Sequence, residues 1–581
     1  MHLRARSRTA ATIERELGGE VEPPLSPRYE EEAASQRQGL LNEQQTYLRQ
    51  EEKMASSSTG LRAIFYTQGK TFFLLLASWL LFYLYIRLPR TDNASDIVVE
   101  NIPTQDIETS SEAVLDPSNL HLLIPASKPD ANFCKAVLSA GILGYPAPVI
   151  INQAEGSDSA LYTKLTGIND YLKQLDHSHD EDLVLLVDGH DIWLQLRPQT
   201  LIDRYFGINV NANDRLSTQL KGAAEKNGIR QEIVFGAQKR CWPWTSTDAA
   251  CYAMPPSTLP KDIYGPKTDT DIGYEPNPYI KYRPRYLNSG VALGSVRAMK
   301  KLFTQALEIL QYEANMLSDQ HIFSHILGEQ ELWREAIRRD NLAGHEKFLD
   351  SIKDYVPKNR FNKTHVDLVR IKAAMREDKS YEFNIGLDYA SELGLSTVFA
   401  EDETAWLTWS NAHQLQQADH NLNITSANSH LGNLSADIST TLPPFWTFNV
   451  EKSLSRWKPW SDIPLFTNVP TGVVPAIIHH NAHRDGRESL RHTWWPETWF
   501  YTSARILYDA WVYEPLAPIA FSGGRDWWPS ERWKGGARNW TGEVEHGKPV
   551  ERWVRFEETC GGFHEEVFGD GRGVWKLPED H

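Results

Sequence analysis

No Walker phosphate loop, no Rossmann glycine fingerprint and no G-x-S-x-G nucleophile elbow occurs in this chain. Their absence removes the short-motif grounds for a P-loop ATPase, a dinucleotide-dependent oxidoreductase or an α/β-hydrolase. No internal repeat is present, which sets aside solenoids and propellers. A long basic run is missing too, and the formal charge is −16, which argues against a nucleic-acid partner. Cysteine is scarce, at four in 581 residues: Cys134, Cys241, Cys251 and Cys560. Four cysteines allow three full pairings, and the sequence does not choose among them.

What remains is globular in kind. Hydrophobic residues make up 41% and charged residues 23%, with length for one large or two ordinary domains. Tryptophan is abundant at twenty; its ring suits sugar stacking, although burial is its commoner use.

The N-terminal portion reads differently from the rest. Residues 1–68 mix acids and bases with Gln, Ser and Pro and lack a sustained apolar period, so a disordered cytosolic tail is expected. Thr71 to Ile86 then runs without a charge between Lys70 and Arg87. Residues 69–88 are therefore expected to form one transmembrane signal anchor. A cleaved signal peptide fits less well, because the long tail precedes the run and no small-x-small site follows it. Asn-x-Ser/Thr acceptors occur at Asn93, Asn362, Asn423, Asn433 and Asn539, all after the run and none before it. The four cysteines lie on the same side, which suits an oxidising lumen. The expectation is a type II protein of the Golgi or endoplasmic reticulum membrane, with a polar stem over 89–118.

Beyond the stem, strand and helix patterns alternate. Leu120–Pro125, Pro148–Asn152 and Leu183–Val187 read as strands, with helices over about Ala131–Ala140 and Leu161–Leu175 between them. That interval predicts βαβ units with a parallel sheet, hence an α/β fold. Glu232–Gly236 is a further strand, Tyr286–Gly294 a turn and strand, and Val296–Tyr312 a helix. Residues 410–442, rich in Asn, Ser, Thr and His, read as an exposed glycosylated insertion. Val473–Ile478 is a late strand. The last 80 residues are rich in Trp and Gly and show no usable period.

The most informative segment is Leu183-Val-Leu-Leu-Val187 followed by Asp188-Gly-His-Asp191. A fully buried strand ends in two carboxylates, at the edge where open α/β sheets bind ligands. Such a pair can hold Mg²⁺ or Mn²⁺ through oxygen, and these ions commonly bridge diphosphates. An Asp-x-x-Asp pair also marks many plain turns and helix caps. A second strand end supplies the partner the metal reading needs: Ile477-Ile478-His479 places an imidazole after its own apolar run.

With these motifs in hand, the chain resembles the glycosyltransferase domain of the procollagen lysyl hydroxylases and related collagen-type glycosyltransferases. The resemblance runs in order through VLLVDGHDIW (184–193), IVFGAQKRCWP (233–243), YLNSG (286–290), SDQHIF (318–323) and IIHHN (477–481). It implies a GT-A fold, a Rossmann-related mixed sheet flanked by helices, with Mn²⁺ (or Mg²⁺) and a UDP-sugar donor. Asp188, Asp191 and His479 would be the metal ligands. Lys164, Asp188, Trp242 and Asn481 would bind the nucleotide sugar, and Asp319 and Asn288 would act at the sugar. The transferase-like domain would cover 119–500, followed by a Trp-rich extension, 501–581, packed on it. Paired with Cys251, Cys241 would close a short disulfide loop; the resemblance places it beside the donor site, so a free thiol also stays open.

Three departures accompany the resemblance. Ser318 stands where the family has a second acid, His480 replaces a glycine after the metal histidine, and the glycines before the family's lysine are absent around Ser157–Thr163. No hydroxylase module follows, so hydroxylation is not expected. The implied activity is hexosyl transfer from a UDP-sugar to a hydroxyl on a glycan or protein. The alternatives are an anchored sugar-binding or scaffold protein without turnover and, ranked last, a metal-dependent phosphoesterase using Asp188 and Asp191.

Overall fold

Three segments rich in Leu, Val and Ile build the centre of the molecule: Ser118–Ala126 (β1), Val149–Asn152 (β2) and Leu183–Val187 (β3). Their side chains alternate between two separate cores. Leu183, Leu185 and Val187 pack with Leu120, Leu122 and Ile124 in one, while Val184 and Leu186 pack with Leu123, Val149 and Ile151 in the other. A strand whose two faces are both covered reads as a continuous apolar run, which is how β3 appears in the sequence.

In this computed structural model the described residues are 116–576, apart from 127, 153–159, 275–276, 313–315, 347–374, 377–378, 450–453, 482–490 and 546–547. The expected tail (1–68), anchor (69–88) and nearly all of the stem lie outside the described residues, as do the acceptors Asn93 and Asn362. No helix among the described residues is long and apolar enough to cross a membrane.

Helices cover both faces. Ala131–Leu143 (α1) lies on the first core; the Asp130 carboxylate accepts from Phe133 N at its start, and Gly144 ends it at φ 78°, a left-handed position that suits glycine. Ala160–Gln174 (α2), Val296–Tyr312 (α3) and Asp319–Asp340 (α4) contribute to the second core.

The remaining strands are Ile192–Leu194 (β4), Ile233–Gln238 (β5), Tyr286–Ser295 (β6), Ile385–Asp388 (β7), Gly394–Ser396 (β8), Thr404–Thr408 (β9), Pro464–Asn468 (β10), Ile477–His479 (β11), Ala520–Ser522 (β12), Arg525–Pro529 (β13), Gly536–Glu545 (β14) and Lys548–Arg555 (β15). All but β9 and β10 join one sheet, in the order β15-β14-β2-β1-β3-β6-β5-β8-β11-β4; β13 pairs β1 and β12, and β7 pairs β5. The fold is thus mixed α/β, a large mixed sheet flanked by helices. The expected parallel pairing holds from β14 through β2 and β1 to β3. It breaks at β6, which runs antiparallel to both β3 and β5.

Other expectations are adjusted by packing. Tyr286–Ser295 is strand throughout, with a register shift against β5 between Phe235 and Gly236 where a turn was expected. The late strand is only Ile477–His479; Pro475 cannot donate to a ladder, and Val473 instead bridges Asn468. Residues 410–442 are more than an exposed insertion, since Leu415, Ala418, Leu431 and Ile438 are buried in the first core. Asn423 and Asn433 stand exposed, whereas Asn539 sits inside β14 between β2 and β15 with its Oδ1 buried, a poor acceptor for a glycan.

The C-terminal segment is part of the sheet rather than a layer laid on it. β13 pairs with β1 and β14 with β2, and a Cys134–Cys560 disulfide joins α1 to the helical turn Phe556–Cys560. The described residues, 116–576, accordingly group as one compact unit. Trp540 of β14 is buried in the second core and meets Tyr171 of α2 edge-on at 5.8 Å. Trp540→Ala should therefore cost about 3–5 kcal/mol of stability. Denaturant unfolding of the full chain measures this; a cost below about 1 kcal/mol would mean that β14 lies outside the cooperative core.

Candidate metal centre

Two strand ends make the site. Asp188 follows β3 and donates its N–H to Gly290 O of β6, while Asp191 immediately precedes β4. β4 runs antiparallel to β11 with Ile192 opposite His479, and His480 N donates to Asp191 O at 2.6 Å. Sheet pairing alone thus brings a residue near 190 beside one near 480. His479 Nε2 lies 3.3 Å from Asp191 Oδ2 and 4.0 Å from Asp188 Oδ2. The three ligand atoms fall within 4.8 Å of one another, a spacing that can hold a metal ion.

Asn288 fixes the imidazole. Its Oδ1 accepts from Gly290 N at 3.1 Å, and its Nδ2 donates to Gln238 Oε1 at 2.9 Å. Asn288 Oδ1 is also 2.9 Å from His479 Nδ1, which must donate to it. Nε2 is then the nitrogen facing the carboxylates, the arrangement in which an outer partner orients a metal-binding histidine. Gly290 is needed for closeness: a Cβ there would overlap the His479 ring.

Lys164 of α2 reaches into the same cluster. Its Nζ donates to Asp188 Oδ1 and to Asp319 Oδ2, each at 2.7 Å. Asp319 is the first residue of α4, and its Oδ1 also accepts from Ser289 Oγ at 3.2 Å and Gln320 N at 2.8 Å. Charges of this kind away from bulk water shift their pKa values. Burial disfavours the Lys164 ammonium, but the Asp188 and Asp319 carboxylates outweigh it and raise its pKa. Burial likewise opposes the Asp319 carboxylate, and Lys164 overcomes that and lowers its pKa. Asp188 goes the other way: burial raises it, with Asp319 and Asp191 adding to the effect against Lys164. At His479 burial is overcome by Asp191 and Asp188, so its pKa is raised. Three carboxylates face one ammonium, and a divalent cation would complete the neutralisation. Two carboxylates and an imidazole form a mixed oxygen and nitrogen donor set of a kind that can hold a divalent transition ion such as Mn²⁺.

The expected site residues thus divide. Asp188, Asp191, His479, Lys164 and Asp319 come together. Asn288 is adjacent, yet its amide is committed to His479, Gly290 and Gln238, which makes it a positioning residue. Asn481 spends its side chain on the loop after β8, accepting from Val398 N and donating to Ser396 Oγ. Trp242 is half-exposed; its carbonyl accepts from Gln320 Nε2 of α4. The Trp242 loop is closed by a Cys241–Cys251 disulfide, so Cys241 is not a free thiol. Ser289, Gly290 and Gln238 were not singled out from sequence, although all three lie within the YLNSG and IVFGAQ segments.

Two departures acquire local explanations. The Ser318 hydroxyl accepts from His321 N and caps α4, which sets the direction of Asp319. The His480 ring, one residue past β11, packs 3.9 Å from Trp193 in an aromatic cluster with Trp494. No protein-family model matches this chain, and no curated protein matches it.

Two outcomes test the geometry. Gly290→Ala should push His479 out of the cluster and weaken Mn²⁺ binding at least about tenfold by calorimetry, since misplacing one ligand costs on the order of 1.4 kcal/mol or more. Unchanged affinity would place the ion elsewhere. Lys164→Met should lower metal-free stability by about 1.5–3 kcal/mol, because two carboxylates lose a charged donor. Added Mn²⁺ should then raise the Tm of this variant more than that of the wild type, and an equal rise in both would separate Lys164 from the metal set.

Proposed function

We propose that this chain is a metal-dependent glycosyltransferase that moves a hexose from a UDP-sugar to a hydroxyl on a glycan or protein. The observation that carries the proposal is the meeting of Asp188, Asp191 and His479 from two strand ends, with the Lys164–Asp319 pair directly beside them. The reading also rests on the five ordered motifs and on a mixed sheet of the kind a GT-A fold requires. Secretory-pathway residence with a lumenal site is part of the same proposal, supported by the one-sided acceptors and two disulfides.

Asp188, Asp191 and His479 would hold Mn²⁺ or Mg²⁺. The bound ion would supply Lewis-acid stabilisation of the departing diphosphate. The chain's own groups do the rest. Lys164 stays charged through neutral pH, held by two carboxylates, and can place positive charge against a diphosphate. Asp319 stays ionised, so its carboxylate can accept hydrogen bonds from sugar hydroxyls. Asn288 holds the His479 tautomer that leaves Nε2 toward the ion. Ser318, by capping α4, and Ser289, by bonding Asp319, keep that carboxylate in place.

UDP release by the full chain, from a panel of UDP-sugars with Mn²⁺ or with chelator, tests the proposal. Release should require Mn²⁺ and a hydroxyl acceptor, and should fall by at least about a hundredfold in Asp191→Ala, the scale set by losing a group that stabilises developing charge. If the wild type neither turns over nor binds Mn²⁺–UDP by calorimetry, the non-catalytic sugar-binding or scaffold reading replaces it. Phosphate release without any sugar acceptor would instead indicate a phosphoesterase.

A further inference from the structure

A second group of metal-type side chains lies at the other end of the same strands. His121 is in β1, Asp182 immediately precedes β3, and His179 closes the turn His177–His179. Asp182 and Asp188 bracket β3, so the two groups stand about 20 Å apart at roughly 3.3 Å per residue. The segment Asp176-His-Ser-His-Asp-Glu-Asp182 has no part in the activity proposed above.

The contacts converge on one oxygen. Asp182 Oδ2 lies 3.1 Å from His121 Nε2 and 2.8 Å from His179 Nδ1, and it accepts from Asn119 Nδ2 at 3.1 Å. Asn119 N donates to the other oxygen at 2.7 Å. The two imidazoles stand nearly perpendicular, 82° apart with centroids 6.2 Å from each other. One ligand atom from each of the three residues lies within 4.8 Å of the others. A tetrahedral zinc with bonds of about 2.0–2.2 Å separates its ligands by roughly 3.3 Å, so the observed spacings need only small adjustments to admit the ion.

The surroundings are those of a built site. Asp182 and His121 are buried, whereas the His179 side chain is 38% exposed and offers a path from solvent. The Tyr171 hydroxyl, 2.9 Å from His121 Nδ1, fixes that ring so that Nε2 faces the carboxylate.

We propose that His121, His179 and Asp182 form a second cation site, of the zinc class, tying β1, the turn before β3 and β3 itself together at the pole opposite the first centre. Two imidazoles with one carboxylate suit Zn²⁺ better than Mg²⁺ or Ca²⁺, which prefer oxygen throughout. Three protein ligands leave a fourth position, on the exposed side of His179, for water or a small anion.

Co²⁺ is the probe, because its visible bands report coordination, and the full metal-free chain is titrated. Wild type should bind two equivalents. Asp191→Ala/His479→Ala should keep one, with the intense bands of a four-coordinate ion that Zn²⁺ bleaches. His179→Ala, at a half-exposed position that tolerates truncation, should weaken this equivalent at least tenfold and remove the Zn²⁺-dependent rise in Tm. His177→Ala is the control, since that imidazole is fully exposed and bonds Asp180; it should change neither reading. If the equivalent is missing from Asp191→Ala/His479→Ala, or survives His179→Ala, the three side chains are a hydrogen-bonded knot and the proposal fails. Loss of only the equivalent that depends on Asp191 and His479 would count against the first centre and leave this site standing.

Discussion

Three partly buried carboxylates meeting at the mouth of a sheet need positive charge. Asp188, Asp191 and Asp319 arrive there because strand pairing and a helix start place them there; the Lys164 ammonium answers Asp188 and Asp319, and the His479 imidazole faces Asp191. Leaving a charge buried without a partner costs more than most single contacts contribute. Lys164 is therefore a structural necessity before it is anything else. The same deficit of positive charge that binds it also leaves room for a divalent ion on the side it does not reach. The rest of the site is arranged around that imbalance: Asn288 turns one histidine nitrogen toward the acids, and Gly290 lets the ring approach.

The parts of the fold legible in the sequence were those governed by short-range pattern. Leu183–Val187 read as a strand covered on both faces, and α1, α2 and α3 followed from helical spacing. The direction of β6 could not be read, because an apolar run looks the same parallel or antiparallel and a long connection precedes it. The role of residues 520–555 was equally hidden. Their Trp-rich strands alternate weakly, and what orders them is pairing with β1 and β2, far earlier in the chain. At the site, the residue types of the two strand ends announced themselves. Asn288 and Asn481 did not, since an asparagine that holds a neighbour and one that holds a ligand have the same letter, and only the partners of their amides distinguish them.

β3 also links two charged ends. Its five apolar residues pass between two cores, with carboxylates immediately before and shortly after the run. Asp182 is surrounded by donors and its pKa falls against burial, through His121 first and then Asn119 and His179; Asp188 rises through burial first, with Asp319 and Asp191 adding to it. One strand thus presents carboxylates whose pKa values move in opposite directions at its two ends. The difference arises from the balance of burial against the neighbours each end meets.

The placement of β14 beside β2 has a consequence for biosynthesis. Arg538 pairs with Val149 and Trp540 with Ile151, so nearly 390 residues must be added before the edge of β2 is covered. At about 5–20 residues per second, that leaves an apolar strand edge open for roughly 20–80 seconds on each nascent chain. An open edge of Val and Ile is a template for pairing with any other extended segment. This chain therefore depends, during every round of synthesis, on whatever machinery shields unfinished sheets, and its yield in a cell should respond to the speed of translation more than its finished stability would suggest.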